Sequence, residues 1–188
     1  SVQAHTESRG LTMAASPAVT YVPLDEYLHT SYRPDVDYVD DHIEERNLGE
    51  FDHGDLQAEI VSFFRIRGRE WNIRAVTDVR VQVRERNFRV PDVCLTDASL
   101  PRERIIRQPP FLCIEILSPE DTMKRTRVRA QDFLRMGVPQ VWIFDPEKRT
   151  VTVSSPAGES THTSGTLRLP ETPIYLEIDA AFRTLDDA

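Results

Sequence analysis

The stretch FLCIEILSPED, residues 111–121, decides how the chain is read: an apolar run with one carboxylate, Glu115, set in its middle. Residues 111–117 are apolar on both faces, which predicts a strand at the centre of a sheet. A carboxylate in such a strand is costly to desolvate unless it is paired, hydrogen-bonded or bound to a metal. The same feature recurs upstream in RVPDVCLTD, residues 89–97, where Asp92 follows Pro91 and stands between Val90 and Val93. Two such acids on strands that can be adjacent point to one shared gap. Their mutual repulsion raises one pKa unless a divalent cation lies between them, and hard oxygen ligands favour magnesium or manganese.

Working outward, Ser118 reads as an N-cap, Pro119 as a first helical residue and Asp121 as the acid of a capping box. They predict a helix that Gly137 and Pro139 end, with an apolar stripe through Met123, Ala130, Phe133 and Leu134 and with Lys124 on its flank. QVWIFD (140–145) predicts a buried strand, which the PEKR turn joins to TVTVSS as a hairpin. ESTHTSGT reads as a loop, IYLEI (174–178) as a last strand, and the end as a brief helix.

Upstream, residues 24–30 predict a short helix and 36–46 one or two β segments. Leu56, Ile60, Phe63 and Phe64 recur at helical spacing, so 55–67 read as an amphipathic helix. VRVQVR (79–84) alternates as a half-buried strand does. A turn near 85–87 returns the chain through FRVPDVCL, and Pro91 makes that second strand an edge or a bulge. Strands mixed with helices give a single α/β (mixed α+β) domain over residues 21–188, after a polar tail over 1–20.

The first twenty residues lack the pattern of a signal peptide and no stretch reaches the length of a bilayer span, so a cytoplasmic, non-membrane protein is expected. Cys94 and Cys113 lie in apolar runs as small buried hydrophobes. Net charge is −8, yet residues 65–135 carry sixteen Lys and Arg against ten Asp and Glu. The segment with the two acids is thus the basic part of an acidic chain, which suits a phosphate-bearing partner.

Phosphate-loop, dinucleotide-binding and serine-hydrolase motifs are absent, and the five histidines never pair at metal-ligand spacing. A metal-dependent nuclease needs a site of this kind: a cation activates water for in-line attack, and a nearby basic group stabilises the charge that develops. The chain has two lysines; Lys148 lies in a hairpin turn, and Lys124 follows the Glu115 strand. Glu45 and Glu59 are each open as a third acid, and His53 is expected to pack beside Leu56 and Ile60. Asp121 is expected to cap and Asp145 to form a turn.

These residues resemble a known group. VPDV, IEIL and the helices around them resemble the PD-(D/E)XK nuclease superfamily. More narrowly, RVPDVCL, FLCIEILSPED and FLRMGVPQVWIFDPEKRTVTV, with YVDDHIEER and DHGDLQAEI before them, are similar to the Uma-type (Uma-two) restriction endonuclease family over about Pro23–Leu185. The resemblance implies a restriction-endonuclease-like fold, a central mixed sheet flanked by helices. It also implies a magnesium-dependent (or manganese-dependent) phosphodiesterase acting on DNA, and a homodimer. By position it makes Asp92 and Glu115 the metal ligands, with the Ile116 carbonyl assisting. The chain departs from the pattern at Leu117, where the superfamily has lysine; the matching basic group on the next helix is Arg129, with Lys124 about a turn earlier. The early Gly-Glu of such proteins is here Asp41-His42. Three other readings stay open: a non-cutting relative that binds nucleic acid or a protein; a plain dimerisation domain whose acids pair with arginines; and an enzyme acting on RNA or a small phosphodiester.

Overall fold

The structure, a computed structural model, describes residues 20–186. The expected tail over 1–20 lies outside the described residues except at Thr20, which opens the first strand. The elements run β1 (Thr20–Tyr21), α1 (Leu24–His29), β2 (Val36–Val39), β3 (His42–Glu45), α2 (Phe51–Ile66), α3 (Gly68–Trp71), β4 (Ile73–Thr77), β5 (Val81–Arg84), β6 (Asn87–Arg89) and β7 (Val93–Asp97). They continue with β8 (Leu112–Ile116), α4 (Met123–Met136), β9 (Val141–Asp145), β10 (Thr150–Ser155), β11 (Gly158–His162), β12 (Thr166–Arg168), β13 (Tyr175–Glu177) and α5 (Ile178–Arg183). Among the described residues, no helix is long and apolar enough to cross a membrane.

The main sheet is mixed, in the order β11-β10-β9-β8-β7-β4, with helices packed on it. β8 and β9 pair in parallel, joined by α4, and their neighbours are antiparallel. β8 is central and buried throughout, as its unbroken apolar run requires. Side chains alternate between the two faces. Ile114 and Ile116 pack with Leu56, Ile60 and Phe64 of α2, all three fully buried. Each such residue contributes roughly 1.5–3 kcal/mol by leaving water. Cys113 faces the other way, into the cluster of Ala130 and Phe133 of α4. Glu115, two residues on, shares that α4 face.

A second sheet, β1-β3-β2-β6-β5, lies before and beside the first in the chain, and it corrects one expectation. Residues 88–95 do not form one strand with an edge or bulge at Pro91. β6 ends inside the second sheet, between β2 and β5, and β7 begins inside the main sheet, between β4 and β8. Pro91 has no N–H to give to either ladder, so the chain changes sheets there. The β2–β3 hairpin turns at Asp40 and Asp41, both at positive φ (47° and 65°), where a two-residue hairpin turn needs left-handed backbone.

Three boundaries also differ. α4 starts at Met123, capped by Thr122, whose hydroxyl accepts from the Arg125 N–H at 3.2 Å. Ser118 and Asp121 instead close a turn before it: the Asp121 carboxylate accepts from the Ser118 N–H at 2.8 Å, and the Ser118 carbonyl accepts from the Asp121 N–H at 2.9 Å. α2 starts at Phe51, ahead of residue 55, because its exposed polar first turn carries no apolar periodicity. Within the expected loop ESTHTSGT, residues up to His162 belong to β11, an almost wholly exposed strand paired with β10 and hidden from a reading that looks for apolar alternation. Cys94 and Cys113 are free, buried and paired across β7 and β8, as their surroundings predicted.

Candidate metal and active site

The antiparallel register of β7 and β8 pairs Cys94 with Cys113 and Val93 with Ile114. One step further along the same register, Asp92 comes opposite Glu115. Glu115 meets Arg129 of α4, and Asp92, in the bend just before β7, meets Arg46, His53 of α2 and the Ile116 N–H. Asp92 and Glu115 are 2 % and 3 % exposed, and both line a cavity of about 340 Å³.

Each acid is held by specific partners. Asp92 Oδ2 accepts the Ile116 N–H at 2.7 Å. Asp92 Oδ1 lies 2.6 Å from Arg46 Nη2 and 3.4 Å from His53 Nε2. Arg46 Nη2 is also 3.8 Å from Glu115 Oε2, so the two carboxylates converge on one cationic nitrogen. Both oxygens of Glu115, Oε2 included, accept from Arg129 Nη2, at 2.9 and 3.1 Å.

The two acids are driven apart in pKa. Burial works against ionised Asp92, but Arg46, His53 and the Ile116 N–H override it and hold the carboxyl well below the usual range. Burial, with Asp92 adding to it and Arg129 and Arg46 opposing, pushes Glu115 up to about 7. One acid is thus firmly ionised while its neighbour readily takes a proton.

A model of the family described as "Uma2: Putative restriction endonuclease" matches residues 24–181, with both acids inside the match. The chain belongs to the Uma2 family. It is also similar to the crystal structure of a putative nuclease belonging to DUF820 from Anabaena variabilis ATCC 29413. That likeness has a TM-score of 0.77 and 25 % identity, and covers 87 % of this chain and 99 % of that one. A distant likeness to the DrdV–DNA complex, at TM-score 0.39 and 17 % identity over 69 % of this chain and 10 % of that one, is too low to carry an argument. No curated protein matches the chain.

Around the Uma2 acid pair lies a buried ionic network that joins the two sheets to α4. Arg129 reaches Asp37 of β2 with Nη1, and the Val90 carbonyl at 3.0 Å with Nη2. Arg89 contacts Asp37 at 3.1 Å, Glu44 at 2.6 Å and Asp132 at 2.7 Å. Asp37 is ionised despite burial because Arg129, Arg89 and Arg46 surround it and lower its pKa. Three guanidiniums (Arg46, Arg89, Arg129) face five carboxylates (Asp37, Glu44, Asp92, Glu115, Asp132), and at the edges Arg135 lies 3.5 Å from Asp132 and His53 3.4 Å from Asp92.

The convergence of two hard oxygens fits a divalent cation that keeps several of its waters. Among the described residues, no three His, Cys, Asp or Glu side chains are grouped for metal binding; Ile116 lines the cavity beside the acid pair.

The other nominated residues fall in different places. Lys124 is exposed on α4 and is not among the residues that line the cavity. Glu45 is exposed at the cavity, whereas Glu59 is exposed on α2 away from it. His53 does not pack into the core beside Leu56 and Ile60; it lines the cavity beside Asp92, which raises its pKa against the effect of burial. One turn on, Gln57 donates to the Asp92 carbonyl at 2.8 Å. Asp121, whose role is in the turn before α4, also accepts from Asn47 at 2.7 Å. Asp145 accepts from the Lys148 N–H at 3.0 Å in its hairpin turn.

Asp37 and Arg46 escaped the sequence reading. Asp37 had the same signal as Asp92, an acid between apolar neighbours in VDYV. Arg46, at the end of a polar run, had none.

Proposed function

We propose that the chain is a metal-dependent endonuclease that hydrolyses DNA phosphodiester bonds, with Asp92 and Glu115 holding Mg²⁺ or Mn²⁺. The observation that carries this is the convergence of Asp92 Oδ1 and Glu115 Oε2 on one cation position inside the cavity. Membership of the Uma2 family supports the reaction class. When bound, the metal supplies Lewis-acid polarisation of the phosphate and a water of lowered pKa.

The chain's own groups supply positioning and charge. The Ile116 N–H fixes Asp92 Oδ2, and Asp92 would help to hold the ion with its other oxygen. Arg129 fixes Glu115 and, engaged with Asp37 and Val90 as well, cannot act as a base. His53, beside Asp92 at the cavity wall, is the group placed to exchange a proton with solvent near the reacting water. Of the two basic residues nominated on α4, Arg129 lines the cavity and Lys124 does not. By the same family reading the protein acts as a homodimer.

A second reading is favoured by one observation: both acids already have arginine partners, as in a protein that keeps the fold without cutting. Calorimetric titration of Mn²⁺ into the wild type and an Asp92→Ala, Glu115→Ala double variant separates the two. A single site lost in the variant, with Mg²⁺-dependent nicking of plasmid DNA, supports the nuclease. No binding to the wild type, with or without DNA, leaves the non-cutting reading.

A further inference from the structure

We propose that Arg46 is an exchangeable cation: it fills the metal position between Asp92 and Glu115, is displaced when a divalent ion binds, and then serves the substrate phosphate. The inference rests on the metal-site reading above and adds a residue to it.

Of the three arginines in the network, Arg46 is the least fastened. Arg89 and Arg129 each hold three acceptors within the buried network. Arg46 has one short contact, to Asp92 at 2.6 Å, and a longer approach to Glu115 at 3.8 Å. Its side chain is 16 % exposed, against 11 % and 2 % for Arg129 and Arg89.

The residues on either side are each held, Glu45 by its carbonyl and Asn47 by its side-chain amide. Arg125 donates to the Glu45 carbonyl at 2.6 Å, and Asn47 donates to Asp121 at 2.7 Å. Motion is thereby confined to the Arg46 side chain, which turns within the cavity rather than leaving with its loop.

The exchange follows from electrostatics. A divalent ion held by both carboxylates would occupy the gap that Arg46 Nη2 now enters, 2.6 Å from Asp92 and 3.8 Å from Glu115, and two cations cannot share that gap. Once displaced, the guanidinium stays at the mouth of the same cavity. Its planar fork matches a phosphate's oxygens, and a cation there stabilises the charge that builds in the transition state. This supplies the basic group that Leu117 cannot and that buried Arg129, already saturated with acceptors, does not offer.

The test compares wild type, Arg46→Ala and Arg46→Lys, with folding checked by circular dichroism in EDTA. Mn²⁺ affinity is measured by calorimetry, and binding of a fluorescent DNA duplex is measured in Ca²⁺. Arg46→Ala is expected to bind Mn²⁺ about tenfold tighter, because the competing cation is gone. The same variant is expected to bind the duplex more weakly, with the salt dependence of its affinity reduced by about one phosphate contact. Arg46→Lys, if Arg46→Ala does not fold, should fall between wild type and that result for both ligands. Unchanged or weaker Mn²⁺ binding overturns the exchange. Tighter Mn²⁺ binding with undiminished duplex binding overturns the transfer to phosphate. Failure of wild type and variants alike to bind Mn²⁺ overturns the metal reading together with this one.

Discussion

Arg129 donates from a single nitrogen to both oxygens of Glu115, at 2.9 and 3.1 Å, while its other terminal nitrogen meets Asp37 on the opposite sheet. One α4 side chain thus spans the seam between the two sheets. Removing it leaves two buried carboxylates without their shared partner. Arg129→Ala is expected to cost about 3–5 kcal/mol, the range for breaking a buried ion pair. Arg129→Lys, whose ammonium is a single point charge without a fork, should recover only part of that. Urea denaturation of the three proteins, followed by circular dichroism, checks the order wild type, lysine, alanine.

Lys124 gives the contrasting case. It is exposed, with Arg125 and Thr126 but not itself lining the cavity. Lys124→Ala should shift stability by no more than about 0.5 kcal/mol and leave Mn²⁺ affinity unchanged. A loss of Mn²⁺ affinity in calorimetry would return Lys124 to the site.

Much of this architecture was legible because the relevant signals are local. Unbroken apolar runs marked β8 and β9, Gly137 marked the end of α4, and two acids in apolar strands marked the site. The second sheet was not legible, because a change of sheet at Pro91 looks in sequence like an interrupted single strand. β11 was missed because both its faces are polar. His53 reads in sequence as a packing residue because the first turn of α2 gives no phase for its side chain. Arg46 was beyond reach altogether: its partner Asp92 is 46 residues away, and a charged residue after a β hairpin reads as a solvated one. Long-range ion pairing has no period for a sequence to display.

Asp92→Asn tests the ligand role without removing the Ile116 contact, since the amide oxygen can still accept that N–H. The loss of charge leaves Arg46 with Glu115 as its remaining acid and removes one hard ligand. The variant is expected to fold and to lose at least about tenfold in Mn²⁺ affinity, which calorimetry on a sample with native circular dichroism would show. Native affinity in such a sample would exclude Asp92 as a ligand.

The raised pKa of Glu115 sets the pH behaviour. Its folded value is about 7, above the ordinary 4.5, so in metal-free protein the group's contribution to stability is fully present below 4.5 and is lost as pH rises through 7. Metal binding requires the carboxylate, so a proton competes with the ion whenever pH is below 7. Mn²⁺ affinity is expected to be about tenfold weaker at pH 6 than at pH 8, the ratio of ionised fractions around that pKa. The gain in Tm on adding Mn²⁺ should likewise be larger at pH 8. In Glu115→Gln, which has no proton to lose there, this dependence should vanish even if residual Mn²⁺ binding to Asp92 persists. Thermal unfolding of wild type and Glu115→Gln at both pH values, with and without Mn²⁺, reads the difference directly. An equal Mn²⁺ effect on wild type at pH 6 and pH 8 would mean that Glu115 is already ionised, and that the arginines around it outweigh its burial.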